Sequence, residues 1–301
     1  AEQMFTIHGP ITSGLAVYFA ESIEKMVDNL KEVQPTLFFG VPRVWEKIHA
    51  GISAKLSDAK GAKALIAKQA MKVGRDYHDA LNRGEQPSPF VELQHRLFNK
   101  LMYAKVKEAV GMSRARVCVS GAAPISKEVI EFLACLDMPI REVYGQSEDT
   151  GPTSFNLPGR TRFGSVGPAI PGVEVRIAED GEIQVKGPNV FMGYYKEPQA
   201  TAETLVDGWL CSGDLGKFDQ DGFLHITGRK KEIIITAGGK NIAPKNIEAA
   251  LKNHHLIAEA VVIGDRRKYL TALLTLDPDV AAKFAAAHNI SMSELYTHPK
   301  L

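Results

Sequence analysis

An α/β fold is predicted: a parallel sheet comes first, then a β-rich subdomain, then a small α+β domain at the C-terminal end. Three observations predict it. Residues 115–120 (ARVCVS), the small-residue loop Gly121-Ala122-Ala123-Pro124, a helical stretch at 126–136 and a strand-like run at 140–144 make a βαβ-like unit, the local signature of a parallel sheet. Glu179-Asp180-Gly181 and Asp221-Gly222 sit between apolar runs and mark turns between antiparallel strands. After Arg229 helices alternate with strands, and the β-rich composition ends.

Bulk composition sets outer bounds. A chain of 301 residues is long enough for one large domain or two smaller ones, and 45% hydrophobic with 24% charged content is ordinary for a globular protein. The net charge of +1 provides no global field for nucleic acid, so none is expected as a partner. Cys118, Cys135 and Cys211 are scattered, without C-x-x-C spacing, which fits a reduced, cytoplasmic compartment. No apolar run approaches the roughly 18 to 20 residues a bilayer span needs. The chain lacks a starting Met and opens inside a helical stretch, so a fragment is expected.

In chain order, residues 21–33 carry helical spacing in Ile23, Met26, Val27 and Leu30, and Gln34-Pro35 ends the helix. Residues 36–41 are β-branched and aromatic, hence a strand, and Pro42 then opens a helix. The stretch 51–84 is rich in alanine and lysine. It is a candidate for peripheral membrane contact, although Asp58, Asp76 and Asp79 interrupt the basic run and favour a solvated face. Gln86-Pro87-Ser88-Pro89 is a turn, and 90–110 is one amphipathic helix. Residues 157–172 are a Gly- and Pro-rich connection, and 173–186 are two strands. Phe191 to Tyr195 are expected to pack within the β-rich subdomain. Beyond Arg229 the pattern is helix 243–252, strand 257–264, strand 270–276 and helix 278–287.

Chemistry concentrates in 209–241. Ser212-Gly213-Asp214-Leu215-Gly216 sets one carboxylate between glycines, where backbone can approach a ligand, and an ionised Asp214 suits the vicinal hydroxyls of a ribose. The Asp221-Gly222 hairpin, with strands over 216–226, should return Arg229 towards Asp214. An arginine's planar donor fork there would hold the ribose or an adjoining phosphate. Ligands of parallel sheets bind at the carboxyl ends of strands, where Gly121-Ala122-Ala123 and Tyr144-Gly145-Gln146-Ser147-Glu148 both lie. The small residues let a flat base lie on backbone, Tyr144 supplies an aromatic face, Ser147 a hydroxyl for phosphate, and Glu148 a hard oxygen ligand for Mg²⁺.

Ser-Gly-Asp-Leu at 212–215, Gly-Arg-Lys-Lys at 228–231 and Tyr-Gly-Gln-Ser-Glu at 144–148 resemble signatures of the adenylate-forming superfamily of acyl-CoA synthetases, peptide-synthetase adenylation domains and luciferases. The Pro-Arg-Val-Trp-Glu-Lys string at 42–47 narrows the resemblance to bacterial long-chain fatty-acid CoA ligases. It implies a partial large AMP-binding domain over 1–228, with an α/β region over 1–156 and a β-rich subdomain over 157–228. A hinge at 229–231 and a partial C-terminal domain over 232–301 complete the expected organisation. Gly121, Ala122, Ala123, Glu142, Tyr144, Gly145, Gln146, Ser147, Asp214, Ile226 and Arg229 would bind nucleotide. Ser147, Glu148 and Lys231 would serve catalysis, Glu148 as the Mg²⁺ ligand and Lys231 as the pivot. Gly238, Gly239 and Lys240 would line the path of CoA.

The activity implied is ATP-dependent conversion of a long-chain fatty acid to acyl-AMP and then acyl-CoA. Transfer to a carrier protein is one alternative, and a non-catalytic nucleotide-binding fragment another. The superfamily's upstream Ser/Thr/Gly-rich phosphate loop is not found, since Thr12-Ser13-Gly14 continues as Leu15-Ala16. Lys300 is a poor match for the superfamily's late catalytic lysine. A hydrolase is disfavoured because Gly145-Gln146-Ser147-Glu148-Asp149 lacks the second glycine of a nucleophile elbow. Zinc chemistry is disfavoured too: His254-His255 are adjacent and no paired-ligand spacing occurs.

Overall fold

A computed structural model describes residues 3–22, 25–291 and 293–295. Ile23 of the helical pattern, and Lys300, lie outside the described residues. The chain divides into two compact units, Ala1–Thr227 and Gly228–Leu301.

The first unit opens with a π turn (Met4–His8) running into α1 (Gly9–Ser13), then α2 (Met26–Val33). α2 begins later than the apolar spacing suggests and ends at Gln34 in the left-handed region, where the following proline bars continuation. β1 (Leu37–Gly40) and α3 (Pro42–Ser57) follow as expected. Trp45 of α3 is fully buried, and its indole N–H is shared between the carbonyls of Gly40 (3.0 Å) and Val119 (3.1 Å). The Pro-Arg-Val-Trp string is therefore a rivet between helix and sheet.

α4 (Ala62–Asn82) and α5 (Pro89–Phe98) form a hairpin, with Ser88 capping α5 through Val91 N. The helix expected over 90–110 runs without a gap from Pro89 to Ala109, widening to a π turn at Asn99–Tyr103 between α5 and α6 (Ala104–Ala109). Buried Tyr103 sits on that turn and donates to the Ala70 carbonyl at 2.6 Å, so the wider turn serves to seat its ring.

β2 (Val117–Ser120), α7 (Lys127–Ala134, capped by Ser126), β3 (Ile140–Tyr144) and the short β4 (Ser154–Phe155) complete the first sheet. Its order is β1-β2-β3-β4, the first three parallel and β4 antiparallel to β3. β5 (Glu174–Ile177), β6 (Glu182–Lys186), α8 (Pro198–Thr204), β7 (Leu205–Val206), β8 (Trp209–Phe218) and β9 (Leu224–Arg229) form the β-rich subdomain. Its sheet runs β5-β6-β8-β7, with β9 also pairing to β8. The Phe191 to Tyr195 string divides: Phe191 packs on the sheet's core, whereas Met192 and Tyr195 are exposed (100% and 87%).

The second unit holds the hairpin β10 (Ile234–Ile235) and β11 (Asn241–Ile242), α9 (Pro244–Leu251), the antiparallel pair β12 (Ile257–Ile263) and β13 (Thr271–Leu276), and α10 (Pro278–His288). Glu248 of α9 is buried and accepts from Val262 N (3.0 Å) and Lys245 Nζ (3.0 Å). Burial alone would raise its carboxyl, but those two donors hold it below the ordinary glutamate value.

Four helical segments of the first unit meet at Asp137, which takes a left-handed conformation just beyond α7. Its Oδ1 lies 3.2 Å from His78 Nε2 (α4) and 3.1 Å from His95 Nε2 (α5), and its Oδ2 accepts from Lys107 Nζ (α6) at 2.6 Å. Burial pushes this carboxyl up, but the histidines and Lys107 outweigh that and hold it far below its usual range. His78, His95 and Asp137 form a grouping of metal-ligand type that sequence spacing does not reveal, because three separate elements supply it. The Lys107 ammonium supplies the balancing positive charge. Asp137→Asn is expected to lower unfolding free energy by about 3 kcal/mol, leaving the Lys107 charge uncompensated. Urea denaturation measures this, and a loss below about 0.5 kcal/mol would show the knot to be unimportant.

Candidate nucleotide-binding site

The site is built at the ends of β2 and β3. Beyond β2, Gly121 packs where a Cβ would come within 2.7 Å of Val143 Cγ1, and Ala122 takes a left-handed φ of 69°. Ala122 and Ala123 are exposed, leaving a small-residue ledge open to a flat ligand. Beside it, the buried Ser120 Oγ has no hydrogen-bond partner among the described residues.

Beyond β3 the chain turns sharply. Gly145 is obligatory there, since a Cβ would stand 1.6 Å from the Gly151 carbonyl oxygen. Gln146 then caps a 3-10 turn, Ser147–Asp149, in a reciprocal box: its side chain accepts from the Asp149 amide, and Asp149 Oδ1 accepts from Gln146 N at 2.8 Å. Thr153 Oγ1 donates to the other Asp149 oxygen. Burial pushes the Asp149 carboxyl up, partly offset by Thr153 and the loop amides. Fully buried Asp149 is a site residue that sequence reasoning passes over, although an acid three positions after a capping residue is a readable signal. The turn leaves Ser147 exposed. Glu148 is half-buried and accepts from Tyr194 Oη at 2.8 Å, while its carbonyl accepts from Phe191 N at 2.8 Å. Tyr194 thus has a polar role that its sequence context does not announce.

Asp214 reaches the same place from the β-rich subdomain. β8 does not break at Ser212-Gly213-Asp214, as a glycine-flanked loop would; it bulges there, since Glu182 pairs with Leu215 and Gln184 with Cys211. Gly213 supplies the positive φ (74°), its N–H donates to Glu182 Oε1 (2.8 Å), and Asp214 N donates to Ser212 Oγ (3.1 Å). The bulge aims Asp214 at β3, where Tyr144 Oη donates to Asp214 Oδ2 at 2.8 Å. Burial and the adjacent carboxylate push the Tyr144 phenol above its ordinary value, so it remains a donor. The tyrosine expected only as an aromatic face therefore also links the two halves of the site. Ile226 of β9 is half-buried in the cluster that holds the Tyr144 ring.

Glu142 lies one pleat back on β3 and accepts from Gly164 N at 3.0 Å. Its hydrogen bond goes to the connection between subdomains. Arg229 ends β9 within the second unit, Lys231 lies in the 3-10 turn Lys230–Glu232, and Gly238, Gly239 and Lys240 form the exposed tip between β10 and β11. Gly239 takes the positive φ (77°) of that turn, and Thr236 N donates to the Lys240 carbonyl at 3.1 Å.

A parallel sheet with small-residue and Tyr-Gly loops at its carboxyl edge, met by an aspartate from an antiparallel sheet, defines an adenylate-forming fold. Residues 1–195 match the family model described as AMP-binding enzyme, and 231–294 match the AMP-binding enzyme C-terminal domain. The chain belongs to the AMP-binding enzyme family. It is 38% identical over its whole length to a long-chain-fatty-acid–CoA ligase, FadD15, of Mycobacterium bovis, and covers 50% of that protein. It is 42% identical over 92% of its length to the long-chain-fatty-acid–CoA ligase ACSBG2 of Gallus gallus, covering 37% of it. The chain thus spans half or less of these relatives' length. Among solved structures, the adenylation domain of a carboxylate reductase from Mycobacterium chelonae superposes with a TM-score of 0.68 at 21% identity, over 94% of this chain and 41% of that one. That likeness shows the fold.

Burial pushes the Glu142 carboxyl up to about 8, against the pull of the Gly164 N–H. The folded state therefore binds this proton more tightly than the unfolded chain does. The associated stability is full below the ordinary glutamate pKa and is lost as pH rises through 8. Thermal unfolding followed between pH 5 and pH 8.5 is expected to show a falling midpoint that Glu142→Gln flattens. An unchanged slope in the variant would remove Glu142 as its source.

Proposed function

We propose that the chain supplies the adenosine-binding core of a long-chain fatty-acid–CoA ligase. The observation that carries this reading is the Tyr144–Asp214 hydrogen bond, which brings a ribose-type acceptor to the carboxyl edge of the parallel sheet. The two ligases that resemble it at 38% and 42% identity support the choice of substrate class.

In this reading the adenine lies on Gly121-Ala122-Ala123 against the Tyr144 ring, and Asp214 takes the ribose hydroxyls. Gly145 and Gln146 shape the loop around the nucleotide, and the Ser147 hydroxyl donates to a phosphate oxygen. Glu142 and Ile226 fix the strands on which the pocket stands. Glu148, steadied by Tyr194, suits Mg²⁺: one carboxylate, with water and phosphate oxygens completing the shell, is this ion's usual protein environment. Bound there, Mg²⁺ would neutralise phosphate charge. The fatty-acid carboxylate attacks the α-phosphorus, the bond to pyrophosphate breaks, and acyl-AMP forms. CoA thiolate then attacks the acyl carbonyl and AMP leaves with the electron pair.

The second unit holds one residue assigned to the nucleotide and those assigned to the hinge and the later step. Arg229 binds ribose or phosphate, Lys231 is the pivot for turning the C-terminal domain between half-reactions, and Gly238-Gly239-Lys240 line the thiol's path. The scattered spacing of Cys118, Cys135 and Cys211 supports the expectation of a reduced cytoplasmic setting.

Calorimetric titration with a non-hydrolysable acyl-adenylate analogue tests the reading. Wild-type chain is expected to bind, and Asp214→Ala to weaken binding by about tenfold to a hundredfold, the worth of hydrogen bonds to a carboxylate. Equal binding by a folded variant would put the nucleotide elsewhere.

A further inference from the structure

At the amino end of β3, away from the strand end that carries Tyr144, lies a cavity of about 170 Å³. Its walls come from α4 (His78, Asn82), the α4–α5 turn (Gln86), β3 (Arg141) and the connection between the subdomains (Phe163). Arg141 is half-buried, and its Nε–H is shut off from solvent with no hydrogen-bond partner among the described residues. No carboxylate among those residues pairs with its guanidinium. A charge withdrawn from water is normally paired.

Other arginines of the chain show the contrast. Glu85 pushes the Arg83 guanidinium up, and Asp221 and Asp219 do the same for Arg162, whereas burial pushes Arg141 down with no carboxylate to oppose it. The rest of the wall supplies neutral donors. Asn82 Oδ1 accepts from Phe163 N at 2.6 Å, which leaves the Asn82 amide nitrogen to donate, and Gln86 adds a second amide from the exposed turn. Glu85, which also lines the cavity, is held by Arg83 at 2.8 Å, and His78 turns its Nε2 to Asp137 at 3.2 Å. The Asp79, Ala80 and Leu81 carbonyls at the end of α4 are taken by the amides of Arg83, Glu85 and Gly84, which blunts the negative pole of that helix end.

We propose that this cavity binds a small tetrahedral oxyanion of the phosphate type. The anion meets the donor fork of Arg141, and the Asn82 and Gln86 amides donate to its remaining oxygens. Donors that converge from a strand, a helix end and a turn suit a tetrahedral anion better than a flat carboxylate. The volume admits inorganic phosphate but is well below that of pockets for larger organic ligands. The site is independent of the ligase reading, because none of its residues belongs to the nucleotide site. It touches that site only through the connection, where Asn82 holds Phe163 N and Glu142 holds Gly164 N.

Calorimetric titration of the full chain with inorganic phosphate, in chloride buffer of constant ionic strength, tests the proposal. Saturable binding is expected, weaker at higher salt. Arg141→Gln should weaken it by about tenfold to a hundredfold, the worth of a charge-assisted hydrogen bond. Gln86→Ala, in an exposed turn and so without consequence for folding, should weaken it by about threefold to tenfold. Phosphate should also raise the thermal midpoint of the wild-type chain and of Gln86→Ala, but not that of Arg141→Gln. Absent binding by the wild-type chain, undiminished binding by either variant, or acetate binding as tightly as phosphate would overturn the proposal. So would loss of phosphate binding when the acyl-adenylate analogue is added, which would put the anion in the nucleotide site. The same analogue titrated alone separates the two accounts, since retained analogue binding without phosphate binding refutes the anion site only.

Discussion

The hydrogen bond from Tyr144 to Asp214 is the constraint on which the site depends. It joins the end of a parallel strand to a bulge in an antiparallel sheet, 70 residues apart in sequence. Each partner is prepared locally: Gly213 and the Glu182 carboxylate shape the bulge, and the Tyr144 ring packs against the cluster of Ile183, Val185, Leu210 and Leu224. Without this bond the two sheets would present a ledge and an acid separately. With it they present a single surface of the kind a nucleoside needs, an apolar face next to hydrogen-bond acceptors.

Rigidity around that bond is supplied by polar groups kept from water. Asp149, wholly buried, ties Gln146 to Thr153 and so fixes the turn that displays Ser147 and Glu148. Further back, Trp45 fastens the sheet to α3, and Asp137 gathers helices α4 to α6 at the end of α7. In each case a side chain substitutes for solvent at groups that would be costly to bury unpaired. The loops carrying Ser147 and Glu148 therefore stand on a frame that resists displacement.

Much of this is legible in the sequence, for physical reasons. β3 falls on residues 140–144 as expected, and the β5-β6 turn and α10 fall where acidic-glycine and proline signals place them, because local backbone chemistry fixes such boundaries. Tyr144 and Asp214 each stand out in sequence, but their mutual bond does not, since it depends on a tertiary meeting of two sheets. The π turn within the helix at Asn99–Tyr103 is invisible for the same reason: only the seat for the Tyr103 ring demands it. His78, His95 and Asp137 escape because they lie on separate elements, and spacing rules see only ligands close in sequence. Phe90, Leu93, Leu97 and Leu101 look like an ordinary amphipathic pattern until the core is found to lie on the other side.

A double-mutant cycle on Tyr144→Phe and Asp214→Ala, read as unfolding free energy in urea, tests the central claim most directly. The account predicts a coupling of at least about 1 kcal/mol, as expected for residues sharing one charge-assisted hydrogen bond. Effects that add within about 0.3–0.5 kcal/mol would mean the two residues do not hold the site together, and the nucleoside surface would lose its keystone.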